Sequence, residues 1–350
     1  LGLLIQGPQA ALCLHEMGAD VVKVEQPGLG DHARWVPLAA DDRRAPFFVG
    51  CNRGKRSITL DLRTEPGRDA FLRLVERSDV LISNFAVGTL DRWGLGPEVL
   101  AERNPRLVNA TGTTFGSRGP HAHRKGADLA AQAAGGLMRA AAGGDESPSA
   151  VGITIADHIA SQNLVAGILA ALLVRERTGR GQTVESSLLG GQIYAQASEY
   201  TAAALLGHDP GAPATGGHPL IPGVYGVVPT ADGHVAIIGV AGPDRDAFFG
   251  LIDRRDLLDD DRFAAPIITG GTQQELFAEI ATATRGRTTA EWTEAFDEAG
   301  IRWAPVHDRI EAAADEGAFA NGYVHTVEHP EWGTVTLPGV PIRMGDTPLR

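Results

Sequence analysis

The sequence predicts an α/β fold in which a Rossmann-like large domain with a mostly parallel sheet is joined to a smaller α+β domain. Two observations predict the large domain. Short apolar runs alternate with segments of helical periodicity as far as residue 188, and Gly, Pro, Asn or Asp bound most of them. A third observation predicts the second domain: a stretch rich in Gly, Pro and Ala at 207–222 interrupts the pattern, which changes after it.

Alternating strands and helices are predicted through the first domain. The predicted strands are 1–6, 20–25, 56–62, 79–84, 107–111 and 183–188. The predicted helices are 9–17, 65–77, 96–104, 158–178 and 190–206. Such alternation implies right-handed βαβ units and parallel strands, whose ligands bind beyond the carboxyl ends of the strands.

The longest apolar helix begins just after Asp157. Apolar residues at 164, 165, 168, 169, 172 and 173 predict one wide core-facing side. Arg175 and Arg177 in the last turn and Gly179 beyond it are typical of a helix end. We therefore expect Asp157 at or near the N-cap, where backbone N–H groups and the helix dipole favour its ionised form. From position alone, a purely structural cap is an alternative.

The second domain is predicted from a hairpin and three helices. The hairpin strands are 224–229 and 234–239, the helices are 245–253, 273–283 and 289–299, and a short strand is 304–306. The predicted domain bounds are 1–206, completed by 308–350, for the large domain, 207–222 for the linker, and 223–307 for the small domain. We expect the natural protein to extend beyond both ends of this sequence.

Composition excludes several classes of function. A net charge of −12 over 350 residues argues against general nucleic-acid binding. Two cysteines cannot form a metal cluster by themselves, and so few are typical of a reducing cytoplasm. The first residues have no basic region of a signal peptide, and the longest apolar run, 164–174, is well short of the roughly 20 residues that span a bilayer. We expect a cytoplasmic protein with no membrane partner, no metal and no cofactor.

Phosphate-cradling glycine loops and the nucleophile elbow are absent from the sequence. It contains no G-x-G-x-x-G after the first strand, no Walker A sequence and no G-x-S-x-G. His121 and His123 have no carboxylate or Cys at ligand spacing. Basic side chains instead flank the predicted strands, which suits a polyphosphate ligand bound by side chains. They are Arg53, Lys55, Arg56, Arg63, Arg92, Arg118, Arg124 and Lys125.

Five motifs in order resemble the class III CoA-transferases, the CaiB/BaiF family. They are GADVVKVE at 18–25, NRGKRSITLDL at 52–62, DVLISNF at 79–85, Asp157 before its apolar helix, and RTGRGQ at 177–182. The family includes formyl-CoA transferase, carnitine-related CoA-transferases and α-methylacyl-CoA racemase. The match extends from about residue 5 to residue 305, and five motifs in register are far more specific than any one of them.

The resemblance implies a reaction and an assembly. A carboxylate at the position of Asp157 attacks an acyl-CoA thioester, a mixed anhydride forms, and CoA moves to a carboxylic acid acceptor through an aspartyl thioester. The coenzyme A thioester is then a substrate, and no further cofactor is implied. Family members form an interlocked homodimer, which the resemblance implies here too.

The resemblance also assigns residues to the site. The expected supporting residues around Asp157 are Asp128, Gln6, Gly216 and Gly217. The expected CoA-binding residues are Leu60, Arg63, Asn84, Phe85, Arg92 and Lys125. Two departures argue against formyl or oxalyl specificity: Gln26 stands where several relatives have a CoA-binding Arg, and Ile5 where formyl-CoA transferase has a site Gln. Only Gly216 and Gly217 match that enzyme's glycine-rich lid.

Two other functions compete with CoA transfer. Racemases of this family use a His in a Gly-His-Asp segment, which here reads Gly126-Ala127-Asp128. Ala127 cannot move a proton, and His158 lies elsewhere in the sequence, so transfer is favoured over an acyl-CoA racemase or isomerase. A non-catalytic CoA-binding protein is the remaining alternative, but binding alone requires no carboxylate at position 157.

Overall fold

The structure is a computed structural model that describes residues 1–142, 147–211, 217–240, 242, 244–265, 268, 270–347 and 349. Its α-helices are α1 Gln6–Glu16, α2 Pro46–Asn52, α3 Glu65–Val75, α4 Thr89–Arg92, α5 Pro97–Arg103, α6 Asp128–Ala134, α7 Leu137–Ala141, α8 Ile155–Thr178, α9 Leu188–Ala195, α10 Ala197–Leu206, α11 Asp244–Leu251, α12 Gly270–Thr284, α13 Thr289–Glu298, α14 Arg309–Ala314 and α15 Glu316–Ala320. Its strands are β1 Val22–Glu25, β2 Arg56–Thr59, β3 Val80–Ser83, β4 Val108–Thr113, β5 Thr183–Ser187, β6 Val224–Pro229, β7 His234–Val240, β8 Trp303–Pro305, β9 Val324–His329 and β10 Gly333–Pro338.

The chain divides into two compact units. The first comprises Leu1–Leu137, Ala150–Gln196 and Glu316–Arg350, and the second comprises Met138–Ser149 and Ala197–Asp315. These bounds differ from the predicted domain bounds: helix α10 falls in the second unit, and 308–315 does as well. The described residues of the predicted linker, 207–211 and 217–222, also lie within the second unit.

Strands β1 to β5 of the first unit are parallel, as predicted, but they form two sheets. Strand β1 pairs with β2, and β3, β4 and β5 form the other sheet in that order. Strands β9 and β10 form a separate antiparallel pair in this unit. Strands β1 and β3 both line a cavity of about 670 Å³ and are not hydrogen-bonded to each other. Helix α1 packs on β3 and β4 and against α8.

The strand predicted at 1–6 is wrong. Helix α1 starts at Gln6, and no strand is assigned to the five described residues before it. Pro8 lies in the first turn of α1, where a missing N–H costs no intrahelical bond. The backbone of Leu3 bonds to the side chain of Asn84 instead of to a neighbouring strand.

The other predicted elements of the first unit are confirmed with small shifts at their ends. Thr64 caps α3, because its Oγ1 accepts the N–H of Gly67 at 3.2 Å. The single helix predicted at 190–206 is wrong, since α9 and α10 meet at Gln196, which leaves helical geometry. The Gln196 amide donates to the carbonyl of Gly135 at 2.7 Å, which anchors the break.

Helix α8 is the core helix of the first unit. Leu164, Ile168 and Ala171 are fully buried with α1 and β4. The prediction that Leu169 and Leu173 share this core is wrong, because they are 44% and 58% exposed. Helix α8 is apolar on more than one side, so spacing alone could not decide which side is covered. It is long and apolar enough to cross a bilayer, but a core helix meets that criterion too, so this is weak evidence for a membrane span.

The second unit contains the predicted hairpin and its covering helices. Strands β6, β7 and β8 form an antiparallel sheet. Phe248, Trp292 and Phe296 stack in its core, with the Trp292 and Phe296 rings 5.5 Å apart. The Trp292 indole donates to the carbonyl of Thr284 at 2.6 Å, which satisfies its one polar group in the core.

Candidate active site

Asp157 lies in the first turn of α8, at the third helical position. The helix begins at Ile155, three residues earlier than predicted, and its N-cap residue Thr154 makes no side-chain capping bond. The expectation that Asp157 lies at or near the N-cap is confirmed, since it is three residues after Thr154. The Asp128 Oδ1 atom accepts the N–H of Ala156 at 2.7 Å and the N–H of Asp157 at 3.1 Å, so Asp128 caps α8 from another helix.

Two carboxyl groups thus share the N-terminus of α8. Asp128 is buried, and its Oδ2 accepts from the Gln132 amide at 2.5 Å. Burial, and then the negative charge of Asp128, raise the pKa of Asp157 to about 7, while the backbone N–H of Gln6 favours the carboxylate and opposes the rise. The helix end was expected to favour the ionised form of Asp157, and burial and Asp128 act against that preference.

Gln6 meets Asp157 from the start of helix α1. Its backbone N–H favours the Asp157 carboxylate and so acts to lower the pKa of that group, and its carbonyl accepts the Ser161 hydroxyl at 2.8 Å. The Gln6 side chain is buried against Gly112, where a Cβ atom would collide with it. Its Nε2 has no hydrogen-bond partner among the described residues. The structure therefore brings two of the predicted supporting residues, Gln6 and Asp128, to Asp157.

Ser161 is a site residue that sequence reasoning missed. It is fully buried one turn after Asp157 on α8, and its hydroxyl lies 2.7 Å from the Asp157 carbonyl and 2.8 Å from the Gln6 carbonyl. It thereby ties the starts of α8 and α1 together. Its spacing of four residues from Asp157 placed it on the same helix face, but nothing local indicated a partner 155 residues earlier.

The predicted CoA-binding residues divide into a packed pair and a polar set. Leu60 follows β2, Phe85 follows β3, and both pack in one apolar cluster with Trp93, whose ring is 5.5 Å from that of Phe85. The Asn84 Oδ1 atom accepts the N–H of Leu3 at 2.7 Å, and its Nδ2 donates to the Leu3 carbonyl at 2.9 Å. The structure thus places Leu60 and Phe85 just after the ends of β2 and β3, both against the same apolar cluster.

Three predicted CoA-binding cations lie at the surface of the first unit. Arg63 pairs with Asp61 at 2.8 Å, and this partner lowers the pKa of Asp61. The Arg92 guanidinium donates to the Thr89 hydroxyl at 2.9 Å. Lys125 is exposed. All three can exchange these contacts for phosphate groups at little cost, because surface ion pairs contribute little to stability.

One other basic residue expected to meet phosphates, Lys55, is engaged by the protein itself. Lys55 is half-buried, and its Nζ donates to the carbonyls of Pro8 and Cys51 and to the Asn52 side chain at 2.6–3.0 Å. Burial and the charge of Lys23 lower the pKa of Lys55 to about 7. Lys55 therefore anchors α1 to α2, and these contacts disfavour the phosphate-binding role expected of it.

The glycine pair and the histidines complete the predicted set. Gly216 lies outside the described residues. Gly217 belongs to the second unit, where it packs on the backbone of Tyr225. His158 is half-buried, and burial lowers its pKa. Among the described residues no group of three or more His, Cys, Asp or Glu side chains is arranged to hold a metal.

Comparisons with known proteins agree on one family. The family model described as CoA-transferase family III matches residues 1–350. A succinyl-CoA:mesaconate CoA-transferase from Haloarcula marismortui is 34% identical over 361 residues, covering 98% of this chain and 88% of the relative. A formyl-CoA:oxalate CoA-transferase from Streptomyces avermitilis is 32% identical over 359 residues, covering 98% and 87%. The crystal structure of a CaiB/BaiF family protein from Brucella suis matches with a TM-score of 0.86 and 32% identity, covering 100% of this chain and 92% of that one.

Proposed function

The chain belongs to CoA-transferase family III, and from this premise we propose that Asp157 carries CoA between carboxylic acids as a covalent intermediate. The observation that supports the proposal best is the surroundings of Asp157. Its carboxyl group is flanked by the N–H of Gln6 and by the capping carboxylate of Asp128. A nucleophile, a hydrogen-bond donor and a charge that tunes basicity are thus within one site.

The proposed reaction begins with ionised Asp157. Its oxygen attacks the thioester carbonyl carbon, the C–S bond breaks, and CoA leaves as the thiolate, which yields an acyl–aspartyl anhydride. The thiolate then attacks the aspartyl carbonyl, the donor acid leaves as its carboxylate, and an aspartyl-CoA thioester remains. The Gln6 N–H is placed to donate to the oxygen that becomes negative at the aspartyl carbon.

The second half repeats these steps with the acceptor. The acceptor carboxylate attacks the aspartyl thioester, CoA thiolate leaves, and a new anhydride forms. The thiolate attacks the acceptor's carbonyl, which gives the new acyl-CoA and regenerates the Asp157 carboxylate. No proton is gained or lost overall, so Asp128 is needed for charge and position rather than as an acid.

We propose a short dicarboxylic acid as the acceptor and succinyl-CoA as the donor. Three relatives support this pairing by name: transferases of succinyl-CoA with mesaconate, D-citramalate and glutarate. The departures at Ile5 and Gln26 from the formyl-CoA transferase pattern disfavour oxalate. Leu60 and Phe85 form the apolar surface proposed for the adenine end of CoA, and the exposed Arg63, Arg92 and Lys125 are proposed phosphate contacts.

Incubation with succinyl-CoA and one acid at a time tests the function. Chromatography should detect a new acyl-CoA with mesaconate, D-citramalate or glutarate and little with oxalate. Deuterium incorporation at the α-carbon of a 2-methylacyl-CoA in D₂O, without transfer to any acid, would establish the racemase alternative. Tight CoA binding without turnover of either kind would establish the binding protein.

We also propose that the protein is a homodimer. Leu169, Leu173 and Val174 form an uncovered apolar stripe along α8, and contiguous apolar surface is typical of an interface. Analytical ultracentrifugation at micromolar concentration should give a species of twice the chain mass. Leu173→Glu should shift it towards the monomer, whereas Glu176→Gln on the same helix should not, and a monomeric wild type would contradict the proposal. The cytoplasmic location and the absence of a cofactor other than the CoA thioester are proposals from composition and family, tested by cell fractionation and by activity of dialysed protein.

A further inference from the structure

Leu4 has a backbone conformation that its side chain does not favour. Its φ is +57°, in the left-handed region that non-glycine residues seldom adopt. The Leu4 side chain is 39% exposed, so packing of that side chain does not account for the conformation. Strain of this kind persists only where surrounding contacts impose it, and such strained residues cluster at functional sites.

Side chains from distant parts of the first unit hold the backbone next to Leu4 in place. Asn84, after β3, accepts the N–H of Leu3 at 2.7 Å and donates to its carbonyl at 2.9 Å. Asp31 accepts the N–H of Leu4 at 2.9 Å and is fully buried. These bonds hold the peptide groups on either side of Leu3, the second of which leads into Leu4. On the other side of Leu4, the Ile5 carbonyl accepts the N–H of Gln9 at 2.7 Å at the start of α1, so Leu4 joins two fixed backbone segments.

A buried ion pair holds the Asp31 end of this clamp. The Lys23 Nζ lies 2.7 Å from Asp31 Oδ2 and donates to the carbonyl of Gly2 at 2.8 Å. Because both charged groups are at most 5% exposed, removal of one would leave the other buried without its partner. Asn84 and Leu4 are therefore the better positions for a test.

The clamped segment leads directly to the nucleophile. Two residues after Leu4, the Ser161 hydroxyl lies 2.8 Å from the Gln6 carbonyl and 2.7 Å from the Asp157 carbonyl, so the start of α1 is held against the first turn of α8. The backbone N–H of Gln6 also favours the Asp157 carboxylate. We propose that Asn84 and Asp31 are positioning residues, which hold Leu4 in the left-handed conformation so that the Gln6 N–H points at the reacting carboxyl group. This inference rests on the proposed nucleophilic role of Asp157.

This role for Asn84 differs from the CoA contact that the family resemblance implies. A side chain that binds CoA changes the KM for acyl-CoA when it is lost. A side chain that aims a donor at the transition state changes kcat instead and leaves KM in place. The Asn84 amide already has both ends occupied by Leu3, which favours the positioning role.

A matched pair at Leu4 tests the conformation itself. Glycine adopts positive φ without strain, whereas a β-branched side chain opposes it. Leu4→Gly should keep kcat within about twofold, and Leu4→Ile should lower it roughly tenfold or more with KM for succinyl-CoA unchanged. Asn84→Ala should resemble Leu4→Ile. Equal kcat in Leu4→Gly and Leu4→Ile, or a rise in KM alone in Asn84→Ala, would overturn the inference.

A spectroscopic measurement separates this inference from the proposed function. In protein labelled with ¹⁵N-glutamine, the Gln6 amide shift should follow the protonation of Asp157 with a midpoint near neutral pH, and it should not in Asp157→Asn. The other ionisable groups that interact with this carboxyl are Asp128 and Cys51, and burial raises the pKa of the Cys51 thiol to about 11. Leu4→Ile should lose the titration while its melting temperature stays near that of Leu4→Gly.

The two failures then have different signatures. If the wild type transfers no CoA but its Gln6 amide titrates and Leu4→Ile abolishes this, the proposed function is wrong and the clamp is correct. If the wild type transfers CoA and the Gln6 titration is unchanged in Leu4→Ile and Asn84→Ala, the clamp is wrong.

Discussion

Asp157→Asn and Asp157→Ala should each lower the rate of CoA transfer by at least ~10³-fold, because neither side chain can form the proposed acyl anhydride. KM or Kd for the acyl-CoA should change little, since the proposed CoA contacts lie on other elements. Steady-state assays with succinyl-CoA and the preferred acid measure both quantities. The alanine variant is needed because hydrolysis of an asparagine amide would regenerate the aspartate.

A matched control tests whether the effect belongs to the site. Asp246 is an exposed aspartate in the first turn of α11, so it shares the helix position of Asp157 without the site around it. Asp246→Asn should transfer CoA within about twofold of the wild-type rate. Retention of more than a tenth of the wild-type rate in Asp157→Ala would show that another group is the nucleophile.

The same Asp157→Asn substitution should stabilise the folded protein. The pKa of Asp157 is about 7 in the fold, above the 3.8 of the free side chain, so the folded state binds this proton more tightly than the unfolded state. As pH rises from about 4 to 7, the wild type therefore loses stability, and above pH 7 the loss is complete. An asparagine side chain does not ionise in this pH range, so Asp157→Asn does not lose stability in this way.

The free energy of unfolding of Asp157→Asn should exceed that of the wild type by on the order of 2–4 kcal/mol at pH 8 and by much less at pH 4.5. The figure follows from about 1.4 kcal/mol for each unit by which the pKa differs between the folded and unfolded states. Urea or thermal unfolding of both proteins at the two pH values measures it. Asp246→Asn should show no pH-dependent gain. A destabilised Asp157→Asn at pH 8 would mean that the carboxylate is favoured by its surroundings, contrary to the site described above.

Much of the fold could be predicted from local pattern. The alternation of β1, β2, α3 and β3 and the hairpin of β6 and β7 follow from periodicity and turn residues, which act over a few positions. The strand expected at 1–6 failed because apolar residues there suit a strand, but distant side chains satisfy the backbone. Asn84 lies 81 residues from Leu3, beyond any local pattern.

The place of Asp157 in the fold could be predicted, but the groups that set its pKa could not. Asp157 at the start of the apolar helix could be read from the sequence, but the capping residue could not, because Asp128 reaches it from 28 and 29 residues away. The pKa of Asp157 depends on Asp128 as well, because the charge of Asp128 raises it. For Lys55 the sequence suggested a phosphate ligand, because the residue is basic and lies just before a strand. In the fold its Nζ donates to three oxygen atoms of the protein, which local sequence does not reveal.

Mass spectrometry of the trapped intermediate tests the central claim most directly. The enzyme is incubated with succinyl-CoA, quenched with hydroxylamine and digested, and the peptide that contains Asp157 is sequenced. An acyl anhydride or CoA thioester on Asp157 reacts to a hydroxamate at that residue, which should require succinyl-CoA and be absent from Asp157→Ala. Rapid transfer with no modification of Asp157, or with a hydroxamate on another carboxyl group, would contradict the account.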